Sequence, residues 1–234
     1  MASPRYLITG ASRGVGLALI TALTGRGNQV VGCSRTGSPL VASGYDDVLL
    51  DVTDQASVSS VFAALRESEM LPDVVVLGAG ATAASPIMFQ DSVVFEDVLR
   101  TNILGAFLVA REALRGMMRS GFGRIIFVSS INTRLHSAGG VAYNASKRGL
   151  EEMAATFAGE CGAGDITVNT LGLSLVEGEG MAAGLTAAET SRKSDRLVKS
   201  APVSMVELVH AIDFLSAPAA RSITGQVIFF GGVS

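Results

Sequence analysis

Tyr143 and Lys147 stand four residues apart in the stretch AYNASKRG. On a helix that spacing puts both side chains on one face, one turn apart. A free phenol has a pKa of about 10 and is poorly matched to neutral pH. A cation within about 4–6 Å favours the phenolate, often by one to three units. The pair then reads as a general acid and its tuner. Such an acid protonates the developing alkoxide of a carbonyl under reduction and takes the proton back in oxidation, worth about 10²–10⁴-fold. On a bare solvated helix face the same residues do nothing, so the elements around them decide.

Those elements alternate along the whole chain. Apolar runs at 6–9, 29–33, 48–50, 74–77, 124–129, 166–171 and 226–230 read as strands. Most are continuous, as in strands covered on both faces. Between them, 14–24, 56–68, about 95–119, about 142–160 and 205–216 carry apolar residues at helical spacing. This predicts an α/β chain with a Rossmann-type, doubly wound parallel sheet of seven strands, in a single domain over 1–234. The stretch 176–204 breaks the rhythm with Gly, Ala and charge. It is expected to be a substrate lid, with a plain exposed helix pair as the alternative.

Composition narrows the class of function. The chain has 234 residues, 48% hydrophobic and 17% charged, which suits one full-sized core and argues against disorder. A net charge of −3 argues against nucleic acid as the main partner. The start MASPRYLITG lacks a charged segment followed by a long apolar run, and no uninterrupted apolar run reaches about 18 residues. A cytoplasmic protein, neither secreted nor membrane-spanning, is expected. Cys33 and Cys161 lie in apolar patterns outside any CxxC pair and read as reduced, partly buried thiols. With only His136 and His210 besides, no metal-ligand cluster is legible.

LITGASRGVG places Gly10, Gly14 and Gly16 after the first strand and at the start of the first helix. A pyrophosphate approaches a helix N-terminus only where side chains are absent, and there it meets unpaired N–H groups. Gly10 serves the turn, Gly14 the close approach, and Gly16 the packing of helix on sheet. The GxxxGxG spacing differs from GxGxxG but uses the same physics. No GK[ST] follows, which excludes a nucleoside triphosphatase loop. After the second strand an acidic residue would hold the ribose hydroxyls of NAD. Here stand Cys33, Ser34 and Arg35, which with Arg13 suit a 2′-phosphate and favour NADP(H).

With these pieces together, the chain resembles the short-chain dehydrogenase/reductase family over nearly its whole length. TGASRGVG (9–16), LDVTD (50–54), TNILGAF (101–107), IIFVSS (125–130), YNASK (143–147) and SITGQV (222–227) occur in the family's order. The resemblance implies a catalytic set of Asn102, Ser130, Tyr143 and Lys147, with Ser129 as the last residue of its strand. Ser130 would polarise the carbonyl, and the Asn102 amide would hold a water between Lys147 and solvent. The cofactor set it implies is Gly10, Ser12, Arg13, Gly14, Val15, Gly16, Ser34, Arg35, Asp51, Val52, Ala79, Gly80, Tyr143, Lys147 and Val176. Asp51 and Val52 would meet the adenine, and Lys147 the nicotinamide ribose.

Three places depart from the family pattern. LGAG (77–80) replaces Asn-Asn-Ala-Gly, so the amides that brace the sheet are missing. Leu173, Ser174 and Gly178 occupy the slots of the Pro-Gly turn and its threonine, and FFGG ends the last strand. The similarity to 3-oxoacyl-[acyl-carrier-protein] reductases implies an NADPH-dependent ketoreductase, working as a homotetramer or homodimer on an acyl thioester or polyketide-like substrate. The rivals are a carbonyl reductase or alcohol dehydrogenase acting on a free small molecule, and a catalytically silent NADP-binding module. Arg111, Arg115 and Arg119 form a stripe on one helix: a solvated face, a dimer contact to Glu151 or Glu152, or a dock for acyl carrier protein.

Overall fold

A computed structural model of the chain describes residues 3–162, 164–177 and 195–233. Its strands are β1 (Arg5–Thr9), β2 (Gln29–Ser34), β3 (Tyr45–Leu49), β4 (Val74–Leu77), β5 (Phe122–Ser130), β6 (Asp165–Leu173) and β7 (Val227–Phe229). They form one sheet in the order β3-β2-β1-β4-β5-β6-β7, and every neighbouring pair is parallel. The helices are α1 (Gly14–Thr24), α2 (Gln55–Glu67), α3 (Ser92–Leu99), α4 (Gly105–Ser120), the single turn α5 (Asn132–Leu135), α6 (Val141–Glu160) and α7 (Met205–Ser216). None of the described helices is long and apolar enough to cross a membrane.

Side-chain alternation along each strand divides the core in two. Leu7, Val31, Val75, Ile125 and Val168 face α2, α4 and α6, where Phe62, Val109 and Leu150 meet them. Tyr6, Ile8, Val30, Val74 and Ile126 face α1 and α7, where Leu19, Leu23, Leu208 and Ile212 meet them. Both faces are therefore covered, which is why the inner strands read as unbroken apolar runs.

The third strand differs from expectation. It lies at Tyr45–Leu49 instead of 48–50, and Leu50 is buried just beyond its end. As the edge of the sheet it keeps much of Asp46, Asp47 and Leu49 exposed, so an apolar-run signal marks only its inner end. The helical pattern at 95–119 resolves into α3, a π turn at Arg100–Leu104 and α4. Asp91 starts it by accepting from the N–H groups of Val93 and Val94. Gly121, at φ +76°, ends it.

The proposed lid at 176–204 lies mainly outside the described residues, which omit 178–194. Its two ends are fixed to each other. Glu177 N donates to Val203 O at 3.0 Å, and Val203 N to Leu175 O at 2.7 Å. The returning limb is tied to the C-terminus by Lys199 N to Gly231 O, and Arg196 donates to the carbonyl of Leu135 in α5.

At the opposite end of the sheet, Arg124 is fully buried between β5 and β6. It donates to the carbonyls of Gly123 and Asp165 and to the Asp165 carboxylate at 2.8 Å. Asp165→Ala strips a buried guanidinium of its counter-charge and is expected to cost about 3 kcal/mol in urea unfolding. Asp213→Ala, at the exposed Arg26–Asp213 pair joining α1 to α7, should cost no more than about 1 kcal/mol.

Candidate active site

Ser130 is the last residue of β5, one position later than expected for the strand's end. Tyr143 and Lys147 project from the first two turns of α6, and Asn102 from the π turn before α4. Phe157 of α6 stacks on Phe127 of β5 and Phe107 of α4, with ring centroids 6.3 and 6.2 Å apart. That stack seats the helix bearing the phenol on the strand bearing the serine. All four candidate catalytic side chains are buried.

Lys147 Nζ donates to the Val128 carbonyl at 2.8 Å. The register explains why that carbonyl is free. β4 ends at Leu77, opposite Phe127, so β5 runs on past its neighbour. The chain then turns away through Gly78–Gly80. A Cβ on Gly80 would stand 3.5 Å from Lys147 Nζ and 3.4 Å from Asn102 Oδ1.

The electrostatics reverse one expectation. Lys147 does not draw the Tyr143 phenol down. Burial pushes Tyr143 up to about 12, with the neighbouring Ser130 side chain acting the other way. Burial also lowers the Lys147 ammonium to about 8. Nζ stands 5.8 Å from the centroid of the Tyr143 ring and spends its hydrogen bond on Val128. Desolvation disfavours both charged forms, so this arrangement holds a protonated phenol, which is the form that donates.

Asn102 is tied into the chain by three hydrogen bonds. Its Oδ1 accepts from Ala81 N at 2.7 Å, and its Nδ2 donates to Ala81 O at 2.9 Å and Ser146 Oγ at 2.8 Å. Both amide hydrogens are engaged, so the amide clamps the loop after β4 to α6. The bracing expected to be lost with the Asn-Asn-Ala-Gly motif is supplied in part by Thr9, whose Oγ1 accepts from Ala79 N at 3.1 Å. Thr9 and Ser146 lie inside the TGASRGVG and YNASK motifs, but neither is singled out there for a role of its own.

The residues at the cofactor end fit a dinucleotide. Gly10 has φ +84°, and a Cβ on Gly16 would lie 2.2 Å from Gly10 O, so the first turn of α1 rests directly on the loop. α1 has no side-chain cap and no acidic residue in its first turn, which leaves its N–H groups to an anion. Ser12, Arg13, Arg35, Thr36 and Gly37 line a cavity of about 390 Å³ at that end. Ser34 Oγ, at the end of β2, is buried with no hydrogen-bond partner among the described residues. Asp51 accepts from Thr53 N and Oγ1, which hold its carboxyl below the usual range with help from Arg35 and Arg100. The Val52 side chain packs on Gly105, leaving its backbone for a ligand. At Val176 the bridge to 203 uses the N–H groups of Glu177 and Val203.

A second cavity, about 480 Å³, opens between the loop after β4 and the loop before α6. Pro86, Ile87, Ala138 and Val141 line it with His136 and Asn144. The arginine stripe lies elsewhere. Arg111 and Arg115 pair with the buried Glu112, and Arg111 also covers the Phe107 ring. Glu151 is not a surface partner for them: it is buried within this chain and bound there by Ser129, Thr133 and Arg148. Among the described residues no group of three His, Cys, Asp or Glu side chains is placed to hold a metal ion.

Comparison with known proteins agrees with this geometry. A family model for short chain dehydrogenase matches residues 5–190. The 3-oxoacyl-[acyl-carrier-protein] reductase MabA of Mycobacterium tuberculosis is 32% identical, the match covering 97% of this chain and 90% of that one. A gluconate 5-dehydrogenase of Burkholderia cenocepacia, solved with NADP and tartrate, superposes with a TM-score of 0.89 at 25% identity, covering 99% of this chain and 95% of that one. A 4-hydroxyisoleucine dehydrogenase solved with NADH shares the fold, with a TM-score of 0.87 at 23% identity over 98% of both chains.

Burial of the Lys147 ammonium has a measurable sign. Its pKa in the folded chain, about 8, lies below the ordinary lysine value. Folding therefore releases a proton between about pH 8 and 10.4, and stability rises with pH across that window. Relative to Lys147→Met, the wild type should gain about 3 kcal/mol between pH 8 and 10.4 in urea unfolding. Parallel curves for the two proteins would mean that the ammonium is solvated.

Proposed function

We propose, for a chain that belongs to the short-chain dehydrogenase family and is an oxidoreductase, that it is an NADPH-dependent ketoreductase acting on a 3-oxoacyl thioester. One observation carries the reading: Tyr143, Lys147 and Ser130 are buried together, with Lys147 Nζ 5.8 Å from the Tyr143 ring on the same helix face. NADPH, when bound, supplies the hydride. Tyr143 gives its phenolic proton to the oxygen that becomes the hydroxyl, and Ser130 holds that oxygen by a hydrogen bond. Lys147 keeps positive charge next to the phenol as it gives up the proton and offers donors to the nicotinamide ribose. Asn102 fixes the loop from Ala79 to Ala81 against α6.

Arg13 and Arg35, which line the smaller cavity, with Ser34 at the end of β2, support NADPH over NADH. The thioester is supported by the likeness to a 3-oxoacyl-[acyl-carrier-protein] reductase and by the largely apolar lining of the larger cavity. A second reading, a dehydrogenase for a compact free hydroxy compound, draws on the likeness to gluconate 5-dehydrogenase. NADPH oxidation with 3-oxoacyl thioesters, free and carrier-linked, against compact ketones decides between them. Thioesters ignored while a compact ketone turns over would put the second reading in place of the first.

Tyr143→Phe removes only the transferable proton. It should reduce kcat to below a few per cent of wild type, with NADPH titrating in fluorescence as before. Arg35→Ala removes a charge-assisted contact worth about 1.5–3 kcal/mol, so NADPH affinity should fall about ten- to a hundredfold. NADH affinity should stay level. Equal loss for both cofactors would make Arg35 structural.

A further inference from the structure

Tyr143, Lys147 and Glu151 recur every four residues along α6, yet only the first two have a part in the chemistry. Glu151 is 4% exposed. A buried carboxylate is costly unless every oxygen is answered, and here each is. Oε1 accepts from Ser129 Oγ at 2.8 Å and Thr133 Oγ1 at 2.7 Å. Oε2 accepts from Arg148 at 2.7 Å and lies 3.6 Å from Arg134. The two hydroxyls flank Ser130 on either side. Thr133 Oγ1 also reaches the Ser130 carbonyl at 3.0 Å, and Ser130 Oγ accepts from the N–H of Asn132 at 3.2 Å. Arg134 in turn stacks on Phe229 of β7, 4.8 Å from its ring centroid.

We propose that Glu151 is a positioning residue for the reaction: its carboxylate pins the turn 129–133, and so the Ser130 hydroxyl, to the helix that carries Tyr143 and Lys147. The inference rests on the ketoreductase reading above. A misplacement of about 1 Å in a reacting group costs on the order of 10²-fold in rate. Glu151 has no contact with the cofactor loop, so its loss acts on turnover and leaves cofactor binding alone.

Glu151→Gln keeps the volume but sets an NH₂ group against Arg148 and Arg134. It should lower kcat at least about tenfold, with substrate KM and NADPH affinity within about twofold of wild type. Exposed Glu152→Gln serves as the control and should match wild type. Hydrogen exchange gives a readout independent of turnover: amides at 130–136 should exchange about tenfold faster in Glu151→Gln, with those at 143–150 unchanged. If Glu151→Gln does not fold, the Ser129→Ala/Thr133→Val pair replaces it with the same thresholds. A folded variant with wild-type kcat and exchange overturns the proposal, as does a parallel loss of kcat and NADPH affinity. A wild type that binds NADPH and reduces no ketone instead defeats the ketoreductase reading. Exchange at 130–136 then decides alone whether Glu151 holds the turn.

Discussion

The site depends on keeping an ammonium inside the protein, where the Val128 carbonyl is its hydrogen-bond partner among the described residues. Taking a charge out of water is unfavourable, and the protein meets that with a mismatch in strand length. β4 stops four residues after it starts, β5 continues past it, and the Val128 carbonyl left over receives Lys147 Nζ. Moving the end of β4 by one pair would cover that carbonyl and leave the ammonium without its partner. The catalytic geometry is thus set by where a strand ends as much as by which side chains are present.

The same economy explains how the chain tolerates its departures from the family pattern. An asparagine pair after β4 is absent, but its bracing role needs only hydrogen-bond acceptors and donors near Ala79 and Ala81. Thr9 supplies one from the neighbouring strand, and Asn102 supplies both kinds from across the site. Asn102 carries three contacts with one amide, so the loop, the π turn and α6 hold together through a single side chain.

Much of this was readable beforehand. Strand and helix alternation follows from covering a sheet on both faces, and α1 and α7 fall where periodicity puts them because caps and glycines bound them. The motifs from Gly10 to Lys147 are local in sequence, so their order along the chain carries the family resemblance that marks these residues as candidates. What stayed hidden depends on contacts between distant segments. β3 is an exposed edge, and its polar residues look like loop. The π turn at Arg100–Leu104 keeps helical periodicity, and only backbone geometry reveals it. The Tyr143 phenol rises instead of falling because burial outweighs a lysine whose hydrogen bond points elsewhere, and spacing carries no information about desolvation. Glu151 figures in the sequence only as a candidate contact for the arginine stripe, and its place beside Ser130 emerges only when Ser129 and Thr133 arrive from β5 and α5.

The strand order also bears on how the chain is made. Synthesis completes β1 to β4 first, and these can assemble as β3-β2-β1-β4 with β4 on the outside. Val74–Leu77 is wholly apolar and buried in the finished sheet. Its partner β5 begins only at Phe122. At about 5–20 residues per second, the ribosome leaves that unpaired edge waiting for seconds, and an open apolar strand invites pairing with another nascent chain. The polar rim of β3 protects one of the sheet's two permanent edges, but nothing in β4 protects the temporary one. Translation rate and holding factors at the ribosome therefore become determinants of yield for this chain, quite apart from the stability of its finished form.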